Sequence, residues 1–426
     1  MNQPAYAVAR TVAPTVAEHL RLHRAALPPS PADQLPMELL PTADQIEALV
    51  DTAFWASVRR EEGYVPKISL AFLRPLPDVW PLTFATPLPL EPSALTRLAA
   101  AVEQPGIHLG VWPASAANSF GDAASARRAF AAISPDDAVA ARQAFATGRP
   151  SDAASARQPG DGDLAVWGTT YHIPPFCFVV EVVGPGLLVL KHRPRHESRK
   201  FVNLAVLEGD RIKIIDERAS LIADCPALLA SMLGFDYSEL SDDALNVQVQ
   251  LALAMRRHGR GGILLVVPAD SDEWRESIVH PIRYAVEPPF SEVADLLPQH
   301  DRMPEHEWAE AIARAIEALA GLTAVDGATV INDRYELHAF GAKIGRRDGG
   351  APVEEIVVTE PIVGGTAMRM HPGQLGGTRH LAAAQFVHDQ RRAVALVASQ
   401  DGRFTIFAWS PCDGAVHAHR VEVLLL

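Results

Sequence analysis

The sequence predicts an α/β protein with a C-terminal mixed sheet flanked by helices, preceded by an N-terminal α/β region that contains a β-meander. Three patterns lead to this fold class. Short apolar runs typical of buried strands alternate with segments whose apolar residues recur at helical spacing. Four strand-like segments separated by turn residues follow one another between residues 176 and 215. Helix and strand patterns alternate again from about residue 240 onward, as expected for a sheet covered by helices.

The length and charge of the chain limit its organisation and its partners. With 426 residues it is long enough for two or three domains. We assign residues 1–235 to an accessory α/β region, with an internal boundary near residue 160, and residues 236–426 to a second domain. The formal net charge of −13 disfavours binding to DNA or to an anionic membrane, because both surfaces repel an acidic protein.

Two further features of the composition concern location. Cys177, Cys225 and Cys412 are far apart in sequence and are interpreted as buried thiols, since no spacing among them is typical of a zinc or redox motif. The sequence also lacks a secretory pattern and any apolar run of about 20 residues. We therefore expect a cytoplasmic protein.

The first region begins with helices and continues as an α/β unit. Thr42 and Gln45 have the spacing of a capping box, which predicts the start of a helix at residue 43. The predicted elements are helices at 1–26, 43–61 and 95–102 and strands at 68–72 and 107–112. The hexapeptide Asp-Ala-Ala-Ser-Ala-Arg occurs at 122–127 and at 152–157, and we interpret it as compositional bias because the flanking sequences differ.

The meander and a basic segment follow. The predicted strands of the meander are 176–183, 187–190, 201–207 and 212–215. The basic run at 191–200 lies between the second and third of them and is interpreted as a solvated hairpin loop, with an anion-binding loop as the alternative.

The second domain is predicted to open with a helix, a glycine-rich turn and a central strand. The helix covers 245–255, the turn is His258-Gly-Arg-Gly-Gly262, and the strand covers 263–267. A second helix at 305–320 leads to the first of two motifs, Asp326-Gly327-Ala328.

The Asp326-Gly327-Ala328 motif enters a predicted strand at 329–331, and another predicted strand covers 337–344. A carboxylate at the mouth of a strand can hold Mg²⁺ or Mn²⁺, or help to activate a ribose hydroxyl. Because Asp-Gly is also one of the commonest turn dipeptides, an ordinary turn is the alternative.

The second motif, Gly376-Gly377-Thr378-Arg379-His380, predicts a glycine-rich entry into a helix. The glycines allow close approach of a ligand, Thr378 can cap the helix, and the unpaired N–H groups of the first turn favour an anion. Tight phosphate binding also needs the charge of Arg379. An ordinary capped helix with an exposed arginine is the alternative.

Other catalytic motifs are absent from the sequence. His258-Gly-Arg-Gly-Gly262 is similar to an esterase oxyanion loop, but no Gly-x-Ser-x-Gly elbow accompanies it. The chain also has no P-loop motif and no His-Glu-x-x-His zinc motif. His417 and His419 alternate on a terminal strand and are interpreted as solvated residues rather than as metal ligands.

The two motifs, in this order and with this spacing, resemble the diadenylate cyclase (DisA N-terminal) domain superfamily over residues 240–426. The resemblance implies that Asp326 supplies a metal-binding and catalytic carboxylate, if the domain is active. It also implies that Gly377, Thr378, Arg379 and His380 contact ATP phosphates. The remaining residues implied for the nucleotide site are Gly327, Ala328, Ser399 and Gln400.

Two departures from the family pattern change the expected function. Leu381 stands where the family has a final arginine, and Gln400 stands where it has a glutamate that the resemblance implies for metal binding. Loss of one charged hydrogen-bonded contact costs about 1.5–3 kcal/mol. Binding should therefore survive better than turnover. The whole chain is more similar to the divergent DACNV group of sensor domains, for which recognition of nucleotides is proposed.

These observations predict a sensor that recognises an adenine nucleotide or a cyclic dinucleotide, with Mg²⁺ or Mn²⁺ as a weakly supported cofactor. One alternative is an active diadenylate cyclase that makes cyclic di-AMP from ATP. That enzyme requires a homo-oligomer, because condensation in the parent family joins two ATP-loaded protomers. A second alternative is a scaffold with a vestigial pocket, in which Leu381 or a neighbouring loop fills the phosphate position.

Overall fold

The chain divides into two compact units, Met1–Lys213 and Ile214–Leu426, in a computed structural model. The structure describes residues 4–26, 40–61, 63–74, 82–104, 106–114, 163–193, 201–216 and 247–426. Each unit contains one mixed β-sheet with helices packed on it, so the predicted α/β class is confirmed. The predicted boundaries near residue 160 and at 235/236 lie outside the described residues, as do Cys225 and the recurring hexapeptide.

Three helices of the first unit form where the sequence predicted them, although the first begins at residue 7 instead of 1, the second ends at 57 instead of 61, and the third begins at 92 instead of 95. They are α1 (Ala7–Ala26), α2 (Ala43–Ser57) and α3 (Pro92–Val102). The capping box is present, because the Thr42 side chain accepts from the Gln45 N–H and the Gln45 side chain accepts from the Thr42 N–H. Helix α1 packs on α2, where the rings of Tyr6 and Phe54 stack at 3.6 Å between centroids.

The first sheet has eight strands in the order β2-β4-β3-β1-β5-β6-β7-β8. They are β1 (Ile68–Phe72), β2 (Leu82–Pro89), β3 (His108–Pro113), β4 (Leu164–Thr170), β5 (Phe178–Gly184), β6 (Leu187–His192), β7 (Val202–Glu208) and β8 (Arg211–Ile214). The predicted meander is confirmed as β5 to β8. Lys191 and His192 belong to β6 rather than to a loop, and residues 194–200 of the basic run lie outside the described residues.

Strands β2 and β4 were not predicted. Strand β2 lies at the sheet edge and is largely exposed, so it carries no alternating apolar pattern. Strand β4 is buried along its whole length, but its first residues follow a glycine-rich stretch that reads as a boundary.

The helices of the second unit cover both faces of its sheet. They are α4 (Val247–Arg257), α5 (Glu292–Leu296), α6 (Glu305–Leu322), α7 (Pro372–Leu375) and α8 (Thr378–Asp389). One core joins Leu251 of α4 and Ile316 of α6 to Leu264 of the sheet, and the other joins Phe386 of α8 to Leu265. Because successive strand residues point to opposite faces, α4 and α6 cover one face and α8 covers the other. None of the helices among the described residues has the length and apolar character needed to span a bilayer.

The second sheet has nine strands in the order β10-β12-β11-β9-β15-β16-β17-β13-β14. They are β9 (Gly262–Val267), β10 (Tyr284–Phe290), β11 (Ala328–Asn332), β12 (Leu337–Ala342), β13 (Ile356–Thr359), β14 (Met368–Met370), β15 (Val394–Ala398), β16 (Phe404–Ser410) and β17 (Ala415–Arg420). The strand predictions at 263–267, 329–331 and 337–344 are confirmed, with small changes at the ends.

The two sheets share one topology. The order β2-β4-β3-β1-β5-β6-β7 in the first unit is matched by β10-β12-β11-β9-β15-β16-β17 in the second. The single parallel pair within this shared part, β1 with β3, is matched by β9 with β11, and the other matched pairs are antiparallel. The second unit adds β13, β14, α7 and α8 between β12 and β15, whereas the first connects β4 directly to β5. This structural repeat was not predicted from the sequence.

A shared β-bulge aligns the two units residue by residue. The register between β3 and β4 moves from Gly110↔Gly168 to Val111↔Val166, so one extra residue enters β4. Between β11 and β12 it moves in the same way from Val330↔Ala339 to Ile331↔Leu337, so His338 is the extra residue equivalent to Trp167. The edge strands support this match: β2 moves from Thr83 to Leu88 at the bulge of β4, and β10 moves from Ala285 to Phe290 at the bulge of β12. A further register shift, between Ala328 and Val330, occurs in the second unit alone.

Candidate functional site

The predicted motifs meet at one end of the second sheet. Strand β9 runs parallel to β11, with Ile263 beside Ala328, and antiparallel to β15, with Gly262 beside Ala398. The beginnings of β9 and β11 and the end of β15 therefore lie at the same edge. We call this end of the sheet, together with the first turn of α8, the arginine edge.

Helix α8 begins differently from the prediction. Gly377 is the N-cap residue, with extended backbone angles, and no side chain caps the helix. The prediction that Thr378 caps the helix was wrong, because Thr378 already has helical geometry as the first residue of α8. Gly377 and Thr378 are exposed, and a Cβ on Gly377 would meet no atom within 4 Å. The N-terminal end of α8, at Gly377 and Thr378, is therefore open to solvent.

Arg379 lies against the glycine loop that precedes β9. A Cβ built on Gly261 would lie 3.2 Å from Arg379 Nη1 and 3.3 Å from both the Ala398 oxygen and Gln400 Cγ. Gly261 also has φ +73°, a left-handed conformation that favours glycine. Arg379 is half-buried, and within the described ranges its guanidinium forms no ion pair with a carboxylate. Its donors are therefore available to an anion.

The turn after β15 forms the other side of the arginine edge. Gln400 Nε2 donates to the Arg260 carbonyl at 3.3 Å, and the Ser399 N–H donates to the Arg403 carbonyl at 2.9 Å. Asp401 pairs with Arg403 at 3.3 Å. Burial opposes the shift, but hydrogen bonds from the Ser399 side chain and the Arg403 N–H lower the pKa of Asp401 below its ordinary value. The turn therefore carries one neutralised arginine, and Gln400 contributes no charge.

His380 points into the protein. Its side chain is buried, its Nε2 lies 3.5 Å from Thr405 Oγ1, and its ring meets Phe407 edge-on at 6.0 Å between centroids. Burial lowers the pKa of His380 below its ordinary value; the charge of Asp401 opposes this shift, and nearby arginines add to it. The structure gives this neutral ring a packing role beside Gly376, and its contact with phosphate stays a prediction.

Asp326 lies at the same sheet end but apart from Arg379. It is exposed and enters β11 through Gly327, which has φ +109°, and Ala328 is buried as the first residue of the strand. Since β9 separates β11 from β15, and adjacent strands are about 4.8 Å apart, Asp326 is on the order of 10 Å from the Ser399 strand. The structure thus brings Arg379, Ser399 and Gln400 together and leaves Asp326 at the margin.

The donor set at this edge does not fit a resident divalent cation. Mg²⁺ bound by protein groups needs carboxylate or carbonyl oxygens arranged around it. Asp326 supplies one carboxylate, and the Gln400 amide nitrogen faces the Arg260 carbonyl. Over the ranges that the structure describes, no three His, Cys, Asp or Glu side chains cluster as a metal site.

Sequence reasoning missed the role of the His258–Gly262 loop in this site. The Arg260 N–H donates to His258 Nδ1 at 3.1 Å, and His258 Nε2 lies 3.1 Å from Thr323 Oγ1. These bonds hold Gly261 under Arg379. The signal was present in the sequence as an arginine between glycines directly before a buried strand.

Two predictions about isolated side chains were wrong. His419 is buried rather than solvated, with Nδ1 2.7 Å from Thr359 Oγ1. Burial, with a smaller effect of His417, lowers its pKa to about 3. Cys412 is exposed rather than buried, whereas Cys177 is buried as predicted.

The fold and the site define an α/β protein of two similarly built units. Among the residues that the structure describes, Arg379 of the second unit forms no ion pair at its sheet edge, and no group of three metal-ligating side chains lies there. Residues 35–120 match the family model described as "Probable sensor domain DACNV". This match covers α2 to β3 of the first unit and does not extend to the motifs at residues 326–400. No curated protein matches the chain. The chain therefore carries a probable sensor domain in its first unit.

Proposed function

We propose that the protein is a nucleotide sensor and that the arginine edge of its second unit binds the phosphate of an adenine nucleotide or a cyclic dinucleotide. The observation that carries this proposal is the position of Arg379. Its guanidinium lies against Gly261, which Gln400 also approaches, at the uncapped first turn of α8, and it has no carboxylate partner in the described parts of the chain.

The energies favour a nucleotide over free phosphate. A charged hydrogen-bonded contact contributes about 1.5–3 kcal/mol, and a helix N-terminus adds about 0.3–1 kcal/mol. Their sum is about 2–4 kcal/mol, which corresponds to millimolar affinity or weaker. A sensor that responds below that range needs further contacts to the sugar and base. The exposed Thr378 and Gln400 offer hydrogen-bonding groups for such contacts.

Recognition is favoured over synthesis by the groups around Arg379. Asp326 lies apart from Arg379, the carboxylate of Asp401 is paired with Arg403, and Gln400 is neutral, so the donor set does not fit a cation held by the protein. Recognition is also favoured over a vestigial scaffold in which Leu381 fills the site, because the Leu381 side chain is 39% exposed. The sensor-domain match over residues 35–120 supports the same general function.

The test measures binding of ATP and of cyclic di-AMP by isothermal titration calorimetry to the full chain and to two variants. Arg379→Ala should weaken binding roughly tenfold to a hundredfold, because one charged contact is lost. Arg314→Ala is the matched control, since it removes an exposed arginine from α6 of the same unit. Equal affinities for the wild type and Arg379→Ala, or no binding by the folded wild type, would overturn the proposal.

A further inference from the structure

His258 connects the glycine loop of the arginine edge to the end of helix α6. Its ring follows α4 directly and lies between the Arg260 backbone and the side chain of Thr323, the residue after α6. The Arg260 N–H donates to Nδ1 at 3.1 Å, and Nε2 lies 3.1 Å from Thr323 Oγ1. One imidazole therefore joins two segments of the second unit that are distant in sequence.

The hydrogen bonds determine which nitrogen of His258 carries the proton. Nδ1 accepts the Arg260 N–H, so this nitrogen has a lone pair and no proton. The Thr323 hydroxyl donates its single proton to the Ala320 carbonyl at 2.6 Å, and it therefore accepts from Nε2. Both sides of the ring thus require a neutral imidazole with its proton on Nε2.

The Thr323 end of this connection is more rigid than the loop end. Thr323 is 1% exposed, and a Cβ built on Gly262 would lie 2.3 Å from its carbonyl oxygen, so the beginning of β9 packs directly against it. On the loop side, Gly259 and Gly261 both have positive φ, and glycine permits a wide range of backbone angles. A change at Nδ1 is therefore expected to move the loop rather than the helix.

The loop in turn contacts the arginine of the proposed phosphate site. The Arg260 carbonyl accepts from Gln400 Nε2 at 3.3 Å, and a Cβ on Gly261 would lie 3.2 Å from Arg379 Nη1. The bond to His258 thus holds one side of the Arg260 peptide, and the bond to Gln400 holds the other. Loss of the first bond frees the backbone that packs under the guanidinium.

The surroundings of the ring favour its neutral form. The charged groups near His258 are Arg260 on its own loop and Glu317 of α6, which pairs with Arg257. The turn after β15 approaches the loop with the uncharged Gln400. Burial, and after it the charge of Arg260, lowers the pKa of His258 below its ordinary value, although a backbone hydrogen bond and Glu317 oppose the shift. The ring is therefore neutral at pH 7 and gains a proton as the pH falls.

Protonation of Nδ1 turns an acceptor into a donor. The Arg260 N–H then faces a second N–H, and their hydrogen bond is lost. We propose that His258 is a positioning residue of the phosphate site, which keeps Arg379 in its binding position only while the imidazole is neutral. This inference rests on the proposed function and adds control of the same site by pH. Nucleotide affinity is full above the pKa of His258 and decreases as the pH falls through it.

The experiment measures nucleotide affinity of the full chain as a function of pH. The probe is ATP or cyclic di-AMP, whichever binds the wild type more tightly at about pH 8, and its affinity is followed by calorimetry down to about pH 5, with circular dichroism to confirm folding. Affinity for the wild type should fall roughly threefold to tenfold over this range, because one hydrogen bond that positions Arg379 is lost.

Two variants separate positioning from a structural role. His258→Ala removes the acceptor and should weaken binding roughly threefold to tenfold at about pH 8. His258→Asn places an oxygen on Cγ, where histidine has Nδ1, so it can accept the Arg260 N–H without gaining a charge. It should restore binding relative to His258→Ala and lack the part of the pH dependence that His258 causes. Titration of the ligand, of His380 and of His419 is common to the wild type and His258→Asn, so the difference between their profiles belongs to His258.

Nitrogen NMR of the free protein, labelled at histidine, tests the same inference without a ligand. The signal that His258→Asn removes should show a protonated Nε2 and an unprotonated Nδ1 at pH 7. The opposite tautomer, a charged ring at pH 7, or identical pH profiles for the wild type and His258→Asn would overturn this inference while leaving the proposed function intact. Absence of nucleotide binding by the folded wild type at every pH would overturn both.

Discussion

Adding one methyl group at Gly261 tests whether the glycine loop positions Arg379. Gly261 has φ +73°, where a residue with a side chain is strained by about 1–2 kcal/mol. The new Cβ would lie 3.2 Å from Arg379 Nη1 and 3.3 Å from Gln400 Cγ, so both side chains must move by a few tenths of an ångström. Gly261→Ala should therefore lower stability and displace the guanidinium from the position proposed to bind phosphate.

Gly259 provides a matched control two residues away. It has φ +64°, so Gly259→Ala carries a similar strain, but its Cβ would meet no atom within 4 Å. For a unit of this size, each kcal/mol lowers the thermal midpoint by about 2–4 °C. Both variants should therefore show comparable decreases in thermal midpoint.

The two variants should differ in ligand binding. Calorimetry with ATP and cyclic di-AMP should show affinity roughly three- to tenfold weaker for Gly261→Ala, because charge-assisted hydrogen bonds depend on geometry. Affinity should be nearly unchanged for Gly259→Ala. If the two variants bind equally well, or if both lose affinity to the same extent, the contact between Gly261 and Arg379 does not position the binding group.

Three further predictions concern other parts of the molecule. Asp326→Asn should change the free energy of ATP binding by less than about 0.5 kcal/mol, with or without EDTA, because this exposed residue lies apart from Arg379. A large, metal-dependent loss of ATP binding in calorimetry would contradict this prediction. Thr42→Ala removes the capping box of α2 and should lower the free energy of unfolding of the first unit by about 1 kcal/mol, as measured by urea titration. An unchanged urea midpoint would show that this cap does not stabilise the unit. Acidification from pH 7 to pH 5 should lower the free energy of unfolding of the second unit by about 2 kcal/mol through His419. The His419 imidazole binds a proton below about pH 6.5 in the unfolded chain but only near pH 3 in the folded protein, so protons in this pH range favour unfolding. His419→Gln should reduce this pH dependence in thermal unfolding, and an unaltered slope would show that other groups cause it.

Local elements were predicted well where neighbouring residues decide them. The start of α2 follows from Thr42 and Gln45 alone, because a capping box involves only the first turn of a helix. The meander follows from short apolar runs between turn residues. The cap of α8 was assigned to Thr378 instead of Gly377, since a threonine and a glycine are both good N-caps and the sequence does not state which has extended angles.

The repeated topology was hidden for a different reason. Equivalent positions of the two units carry residues as different as His108 and Ala328, or Lys191 and Phe407. Strand pairing depends on backbone hydrogen bonds and on a general apolar pattern, so two sheets can share a strand order while their side chains differ. The bulge at Trp167 and His338 is visible only once the strands are paired.

The sequence by itself determined the α/β class, most helices and strands, and the two motifs at Asp326 and Arg379, because these depend on local spacing and turn chemistry. Only the tertiary structure decided which strand ends meet. The antiparallel register of β9 with β15 brings Arg260 and Gln400, 140 positions apart, into one hydrogen bond and places Arg379 over Gly261. The tertiary structure also places Asp326 one strand further from Arg379 and buries His380 in the core. Such choices depend on long-range pairing and burial, which local sequence does not encode.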